Sequence, residues 1–289
     1  MAKEKAKKET MTVFLDFSTI GLGNNLFTFA AGLEFAKQYS TDLRVLPTVS
    51  KGFRNNLELN LLSVAAISDV IDHLGVEQVG VSDSLEVRER VINGAIGIIS
   101  ESCPYCYTIS KIESRNDVYI SGYFQNQDYL GPSLQTLLRT LVKLTDHVKT
   151  KNDLSVQIRR GDYKSPEIKR RLGLLSPLYF SSWISKFPES TIVSVHSDDP
   201  KSEIDSFLGG QFPYHFVEPH ANILENLRLL SNSTHLIISN STFAWWAGAL
   251  GEYLGVTKNI ISPTRWNRTM ECSELLSKSS WIRAQPKWL

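Results

Sequence analysis

Two hydrophobic periods alternate along this chain. Short apolar runs at Thr12–Phe17, Tyr119–Tyr123, Leu154–Ile158, Thr191–His196, His235–Ser239 and Asn259–Ser262 read as buried strands. Between them apolar residues recur at helical spacing. Leu26, Phe29, Ala30, Leu33 and Ala36 mark a helix over Asn25–Gln38, and the same period covers Tyr129–Val148, Pro177–Lys186, Ser202–Leu208, Ile223–Ser231 and Thr242–Leu254. Ser176 stands where the Pro177 helix needs a cap. Arg44–Leu46 reads as a further strand, while about 50–115 shows no sustained period. Strand alternating with helix predicts an α/β fold, with a parallel sheet and helices on its faces. The polar stretch Lys149–Asp153 reads as a linker between 12–150 and 151–289, and 1–11 as a flexible, solvated tail.

The residues that follow the strands carry the chemistry. Arg159, Arg160, Gly161, Asp162 and Tyr163 come after Leu154–Ile158, Asp198 and Asp199 come after Thr191–His196, and Asn240, Ser241 and Thr242 come after His235–Ser239. In an open parallel sheet the carboxyl ends of the strands share one edge, and ligands bind in the crevice there. Two arginines, two carboxylates and a hydroxyl-rich helix start on one edge fit a nucleoside diphosphate. Arginine forks pair with phosphate oxygens. A helix N-terminus offers free N–H groups. Asp198 and Asp199 suit the N–H edge of a guanine or a ribose hydroxyl. In extended backbone Arg159 and Arg160 point opposite ways, so one is expected to hold phosphate and the other to brace the site.

Composition narrows the partners. Among 289 residues, 31 Lys and Arg stand against 30 Asp and Glu, a net charge of +1 that leaves no footprint for nucleic acid. At 42% hydrophobic and 21% charged the chain reads as globular. Three cysteines make no disulfide scaffold. Leu229–Leu250 lacks Asp, Glu, Lys and Arg, but its nine polar side chains between Ser231 and Thr242 argue against a membrane span. With no apolar stretch behind the N-terminal lysines, a cytoplasmic location is expected. His196 and His235 border predicted strands and read as structural, and the six histidines show no metal-ligand spacing.

The combined motifs resemble a known family. Arg159-Arg160-Gly161-Asp162-Tyr163 is similar to the His-X-Arg-Arg-Gly-Asp-Tyr motif of the α1,2-fucosyltransferases, glycosyltransferase family 11. Asn240-Ser241-Thr242-Phe243-Ala244-Trp245-Trp246 resembles that family's Asn-Ser-Ser/Thr-Phe-Ser-Trp-Trp. Ile20-Gly21-Leu22-Gly23-Asn24-Asn25-Leu26-Phe27 resembles its N-terminal glycine motif, and Gly122-Tyr123-Phe124-Gln125 its central one. Gln157 stands at the motif His, Ile20 at the first motif Gly, Asn25 at the motif Gln, and Asn226 where an Asp is usual.

The resemblance implies a GT-B fold of two Rossmann-like domains, with the donor bound by 151–289 and the acceptor on the side of 12–150. It implies GDP-L-fucose as donor, a galactose-terminated glycan as acceptor, and inverting transfer with neither metal nor cofactor. Arg159 or Arg160 would stabilise the departing β-phosphate, helped by Ser241, Thr242 and the helix behind them. Gly21, Gly23 and Asn24 would face the donor from the other domain, and Phe243 belongs to the donor-side motif. Asp162, Glu167 and Asp16 are the candidate bases, with Asp162 equally suited to brace an arginine. Trp245 and Trp246 are expected to pack the helix. Two other readings stay open: a binding-only relative that has lost turnover, and a thiol oxidoreductase built on Cys103-Pro104-Tyr105-Cys106.

Overall fold

The computed structural model describes residues 11–17, 21–47, 57–101, 117–145, 152–270 and 276–289. The N-terminal tail and the Cys103–Cys106 motif lie outside these residues.

The first half contains β1 (Thr12–Phe17), α1 (Leu22–Gln38), β2 (Asp42–Val45), α2 (Leu57–His73), β3 (Glu77–Gln78), α3 (Val81–Ile92), β4 (Gly97–Ile99), β5 (Val118–Gly122) and α4 (Ser133–Leu144). Its five strands are all parallel, in the order β3-β2-β1-β5-β4. The second half runs β6 (Asn152–Ile158), α5 (Pro166–Leu172), α6 (Pro177–Ile184), β7 (Val193–Ser197), α7 (Lys201–Leu208), β8 (His215–Val217), α8 (Ile223–Ser231), β9 (Ser233–Ile237), α9 (Thr242–Tyr253), β10 (Asn259–Pro263) and β11 (Ile282–Ala284). Its six strands, also all parallel, are ordered β11-β10-β9-β6-β7-β8. That is the doubly wound Rossmann order, in which the direction of winding reverses between β6 and β9. Two such parallel units make the GT-B layout.

Several boundaries differ from the sequence reading. α1 starts at Leu22, so Gly23 and Asn24 lie in its first turn and only Gly21 precedes it as N-cap. The pattern read as one helix over Tyr129–Val148 splits at Gly131, whose φ is +42°, into a 3-10 turn at Gln127–Tyr129 and α4. Part of the expected linker is strand, because β6 already begins at Asn152. Ser176 is the N-cap of α6 but makes no side-chain cap bond there. β3, β4, β8 and β11 are two or three residues long, too short to show a period.

One apolar core spans both halves. It joins Leu26, Phe27 and Ala30 of α1 to Leu227 of α8 and to Trp245, Trp246 and Ala249 of α9. Trp245 and Trp246 are fully buried, and Phe27 meets them at ring-centroid distances of 4.8 and 5.3 Å. The two indoles pack their helix as expected, but against α1 of the opposite half. Separate clusters cover β6 and β7 beneath α6 and α7, and Phe14 and Tyr119 beneath α3.

His196 lies in β7, its Nε2 buried without a partner. Burial, with His215 nearby, lowers its pKa to about 4. The unfolded chain binds this proton below about 6.5 while the fold refuses it until about 4, so stability falls as pH drops through that window. The expected loss is on the order of 2 kcal/mol, discounted for screening at a partly exposed ring. Urea melts between pH 7 and 4.5 should show a flatter pH slope for His196→Phe. An unchanged slope would assign the acid sensitivity to other groups.

Candidate active site

The carboxyl end of β6 carries two arginines with different surroundings. The backbone N–H of Arg159 donates to Ser239 Oγ at 3.1 Å, tying β6 to the segment that leads into α9. The Arg159 guanidinium meets Asp162 at 2.5 Å and Asp198 at 2.8 Å, and its side chain keeps a third of its surface exposed. Burial opposes its charge, but Asp198 and Asp162 together hold its pKa above the ordinary arginine value. Arg160 turns the other way. Its Nε donates to Asp199 at 2.7 Å, and its guanidinium lies 4.1 Å from the Phe207 ring centroid. The two side chains thus diverge as extended backbone requires, with Arg159 on the more exposed side.

Asp198 and Asp199 act as braces. Asp198 accepts from the Arg160 backbone N–H at 2.8 Å besides pairing with Arg159. Asp199 is 4% exposed and is shared between Arg160 and Lys164, the latter at 2.9 Å. Burial alone would raise Asp199, but the bonds from Lys164 and Arg160 hold it below the usual carboxylate range. Contact with a base or ribose was the role expected for both; the contacts the structure shows are these ion pairs within the protein. Gly161 follows from the same arrangement, since a Cβ there would come within 2.2 Å of Asp198 Oδ2.

The segment after β9 divides similarly. Asn240 is buried, and its amide donates to the carbonyls of Leu172, Gly173 and Trp266. Through these bonds it clamps loops together. Ser241 is the N-cap of α9, yet its side chain makes no cap bond. The Thr242 hydroxyl donates to Asn24 Oδ1 at 2.7 Å, which also accepts from Gln125 Nε2 at 2.9 Å. Phe243 packs against the shared core. Trp246 Nε1 donates to the Gly23 carbonyl at 3.0 Å. The first turns of α1 and α9 thus touch across the two halves, and two positive helix ends border one crevice.

The other candidates separate by their partners. Asp16 accepts from the Tyr119 hydroxyl at 2.6 Å and pairs with Arg88 at 3.2 Å. Asp162 is committed to Arg159. Glu167, in the first turn of α5, is exposed and engages no cation. Among the described residues, no three His, Cys, Asp or Glu side chains are placed to hold a metal ion. Nor is any helix among them long and apolar enough to cross a membrane.

The glycosyl transferase family 11 model matches residues 105–285. The chain belongs to glycosyl transferase family 11. An alpha-1,2-colitosyltransferase of Escherichia coli is 27% identical over 296 residues, 92% of this chain and 96% of that protein. The O-antigen biosynthesis glycosyltransferase WbnK of Escherichia coli is 22% identical, over 91% of this chain and 97% of that protein. Among solved structures, the fucosyltransferase NodZ from Bradyrhizobium aligns at a TM-score of 0.44 and 13% identity, covering 86% of this chain and 94% of that one.

Within this family 11 chain two departures from the motif, Gln157 and Asn226, are accommodated locally, and Ile20 lies outside the described residues. Gln157, at the motif His, is buried and accepts from the Ser239 hydroxyl. Asn226 exchanges two bonds with the His220 backbone, each 2.7 Å. The sequence reading passed over Glu101, which lies in the stretch that shows no sustained period. Glu101 follows β4 and accepts the backbone N–H groups of Tyr123 and Phe124, the latter at 2.7 Å. It holds Phe124 at φ +48°, immediately before Gln125. Burial raises its pKa to about 7 even though those two bonds pull it down. No local motif marks Glu101; the pairing of β4 with β5 reveals it.

A Cβ on Gly23 would lie 2.4 Å from the Phe243 backbone nitrogen and 2.6 Å from the Thr242 carbonyl carbon. Gly23→Ala must therefore push α1 and α9 apart. The expected cost is about 1–3 kcal/mol of stability, with weakened binding of nucleoside diphosphate. Thermal melts and calorimetric titration with GDP check both. Unchanged values in both would mean that the two helix starts do not need this contact.

Proposed function

We propose that this enzyme transfers L-fucose from GDP-L-fucose to the 2-hydroxyl of a galactoside, inverting the anomeric centre without a metal ion. The observation that carries the reading is the placement of Arg159 at the β6/β9 switch point of a family 11 chain, beside the first turn of α9. The full-length likeness to an enzyme named as an alpha-1,2-transferase of colitose supports the 1,2 linkage.

In this mechanism the bond from the sugar C1 to the β-phosphate oxygen breaks, and its electron pair stays on GDP. The Arg159 guanidinium and the N–H groups opening α9 stabilise that developing charge. Asp198 and Asp162 keep the guanidinium aimed, and Arg160 with Asp199 and Phe207 keeps the strand end rigid. The acceptor oxygen attacks from the opposite face of the ring and forms the new bond to C1. Its proton passes to Glu167, the candidate carboxylate not already paired to an arginine.

GDP release from GDP-fucose, with EDTA throughout and with or without lactose or N-acetyllactosamine, tests the reaction. Acceptor-dependent release insensitive to EDTA is expected. GDP binding by calorimetry with no turnover on any galactoside would favour the binding-only relative, in which Gln157 replaces the motif His. No GDP binding would remove the donor site.

Two substitutions separate roles. Arg159→Ala should lower kcat/KM by about 10²–10³-fold with little change in melting temperature, whereas Arg160→Ala should also lower the melting temperature, because it leaves the buried Asp199 paired with Lys164 alone. Equal melting and activity losses would refute that division. Glu167→Gln should lower kcat by about 10²-fold and leave GDP affinity unchanged. Retained kcat would exclude Glu167 as base.

A further inference from the structure

Outside the crevice, the second half gathers cations that no carboxylate answers among the described residues. Lys169, Arg170 and Arg171 form the last turn of α5. Arg268 lies next to them, its backbone N–H donating to the Leu172 carbonyl at 3.2 Å, while the Thr269 hydroxyl donates to the Arg171 carbonyl at 3.3 Å. Arg265 and Arg283 line one open cavity of about 410 Å³ with Thr264, Gln285 and Trp288. Trp288 bridges that cavity to the end of α5, because its ring lies where a Cβ on Gly173 would stand. Lys287 completes the set, its carbonyl accepting from the Ser176 N–H at 2.7 Å.

None of these seven side chains makes an ion pair among the described residues, although most cations nearer the crevice do. The helix dipole accounts for basic residues at the end of α5. It does not account for Arg265, Arg268, Arg283 and Lys287, which come from two other segments. The net charge of +1 conceals the asymmetry. Seven of the 31 Lys and Arg sit here, so the other 24 stand against 30 Asp and Glu. Exposed apolar side chains lie near the cations: Leu178 at 60% exposure, two residues beyond the Ser176 that bonds Lys287, and Leu289 at 45%. Leu289 is fixed beside this cluster by its N–H bond to the Leu174 carbonyl.

We infer that this face docks on an anionic lipid bilayer. Free phosphate would need only the two arginines of the cavity. Seven cations unpaired among the described residues, with exposed leucines near them, match a surface that is anionic at the headgroups and apolar just beneath. Each basic side chain near such a surface adds to the attraction, and partly inserted apolar side chains strengthen it. Arg265 follows β10 and α5 follows β6, so the face adjoins the carboxyl edge of the second sheet. Docking therefore holds the crevice beside the bilayer, where an acceptor carried on a lipid would be presented.

Vesicle co-sedimentation of the full chain tests this. Vesicles with 30% phosphatidylglycerol should retain the protein at low salt, pure phosphatidylcholine vesicles should not, and 0.5 M NaCl should release most of it. The combined variant Arg170→Glu, Arg171→Glu, Arg265→Glu and Arg268→Glu should lose at least tenfold in vesicle affinity, while its melting temperature and GDP binding stay unchanged. A milder set, Arg265→Gln with Arg268→Gln, covers the case of misfolding and should lose severalfold. Leu178→Ser with Leu289→Ser should weaken binding while sparing its salt response. Three results would overturn the inference. The first is equal binding to both vesicle types. The second is displacement of vesicles by saturating GDP, which would make these cations part of the donor site. The third is preference for a soluble polyanion such as heparin over anionic vesicles.

Discussion

Gly23 and the first turn of α9 crowd so closely that no side chain can stand between them. Much of the structure follows from that approach. It lets Trp246 reach the Gly23 carbonyl and lets Asn24 accept from Thr242 and Gln125. It also sets the distance between the two sheets, because α1 belongs to one and α9 to the other. The helix ends then share one crevice border, where the peptide dipoles favour negative charge. Arg159 adds a full positive charge at the switch point, and Asp162 and Asp198 hold it in place.

The carboxylates near this crevice are differentiated by their neighbours. Asp199 is buried and doubly paired, which fits a fixed anion supporting Arg160. Asp16 is held by Arg88 and Tyr119 beneath α3. Glu101 is strained between burial, which favours its proton, and two backbone donors, which favour its charge. It therefore titrates near neutrality while holding the turn that presents Gln125. Glu167 is exposed and engages no cation among the described residues. Similar side chains thus carry different duties because burial and ion pairing differ among them.

The second half was largely legible in the sequence, because β6, β7, β9 and β10 are five to seven residues long and its chemistry follows them directly. β6, β7, β9 and α9 appear within one or two residues of their expected places. The first half was harder. β3 and β4 are too short to show a period, and their existence depends on pairing with β2 and β5. Side-chain direction was the other blind spot. The spacing brought Asp198, Asp199 and Asn240 to the correct edge, but only packing shows that they turn towards Arg159, Arg160, Lys164 and the Leu172 carbonyl. The Gly23 contact was unreadable for the same reason, since its partner lies some 220 residues away in sequence.

The shared core has a mechanical consequence. Phe27, Trp245 and Trp246 interlock across the line where a two-unit enzyme would bend. A wide hinge opening would expose these rings to water at a cost of several kcal/mol. The two sheets are thus welded rather than hinged, and they should melt together in one cooperative step. Substrate entry and product exit then belong to movements of individual side chains and loops around a fixed cleft, so the speed of each cycle is decoupled from any swing of one half against the other.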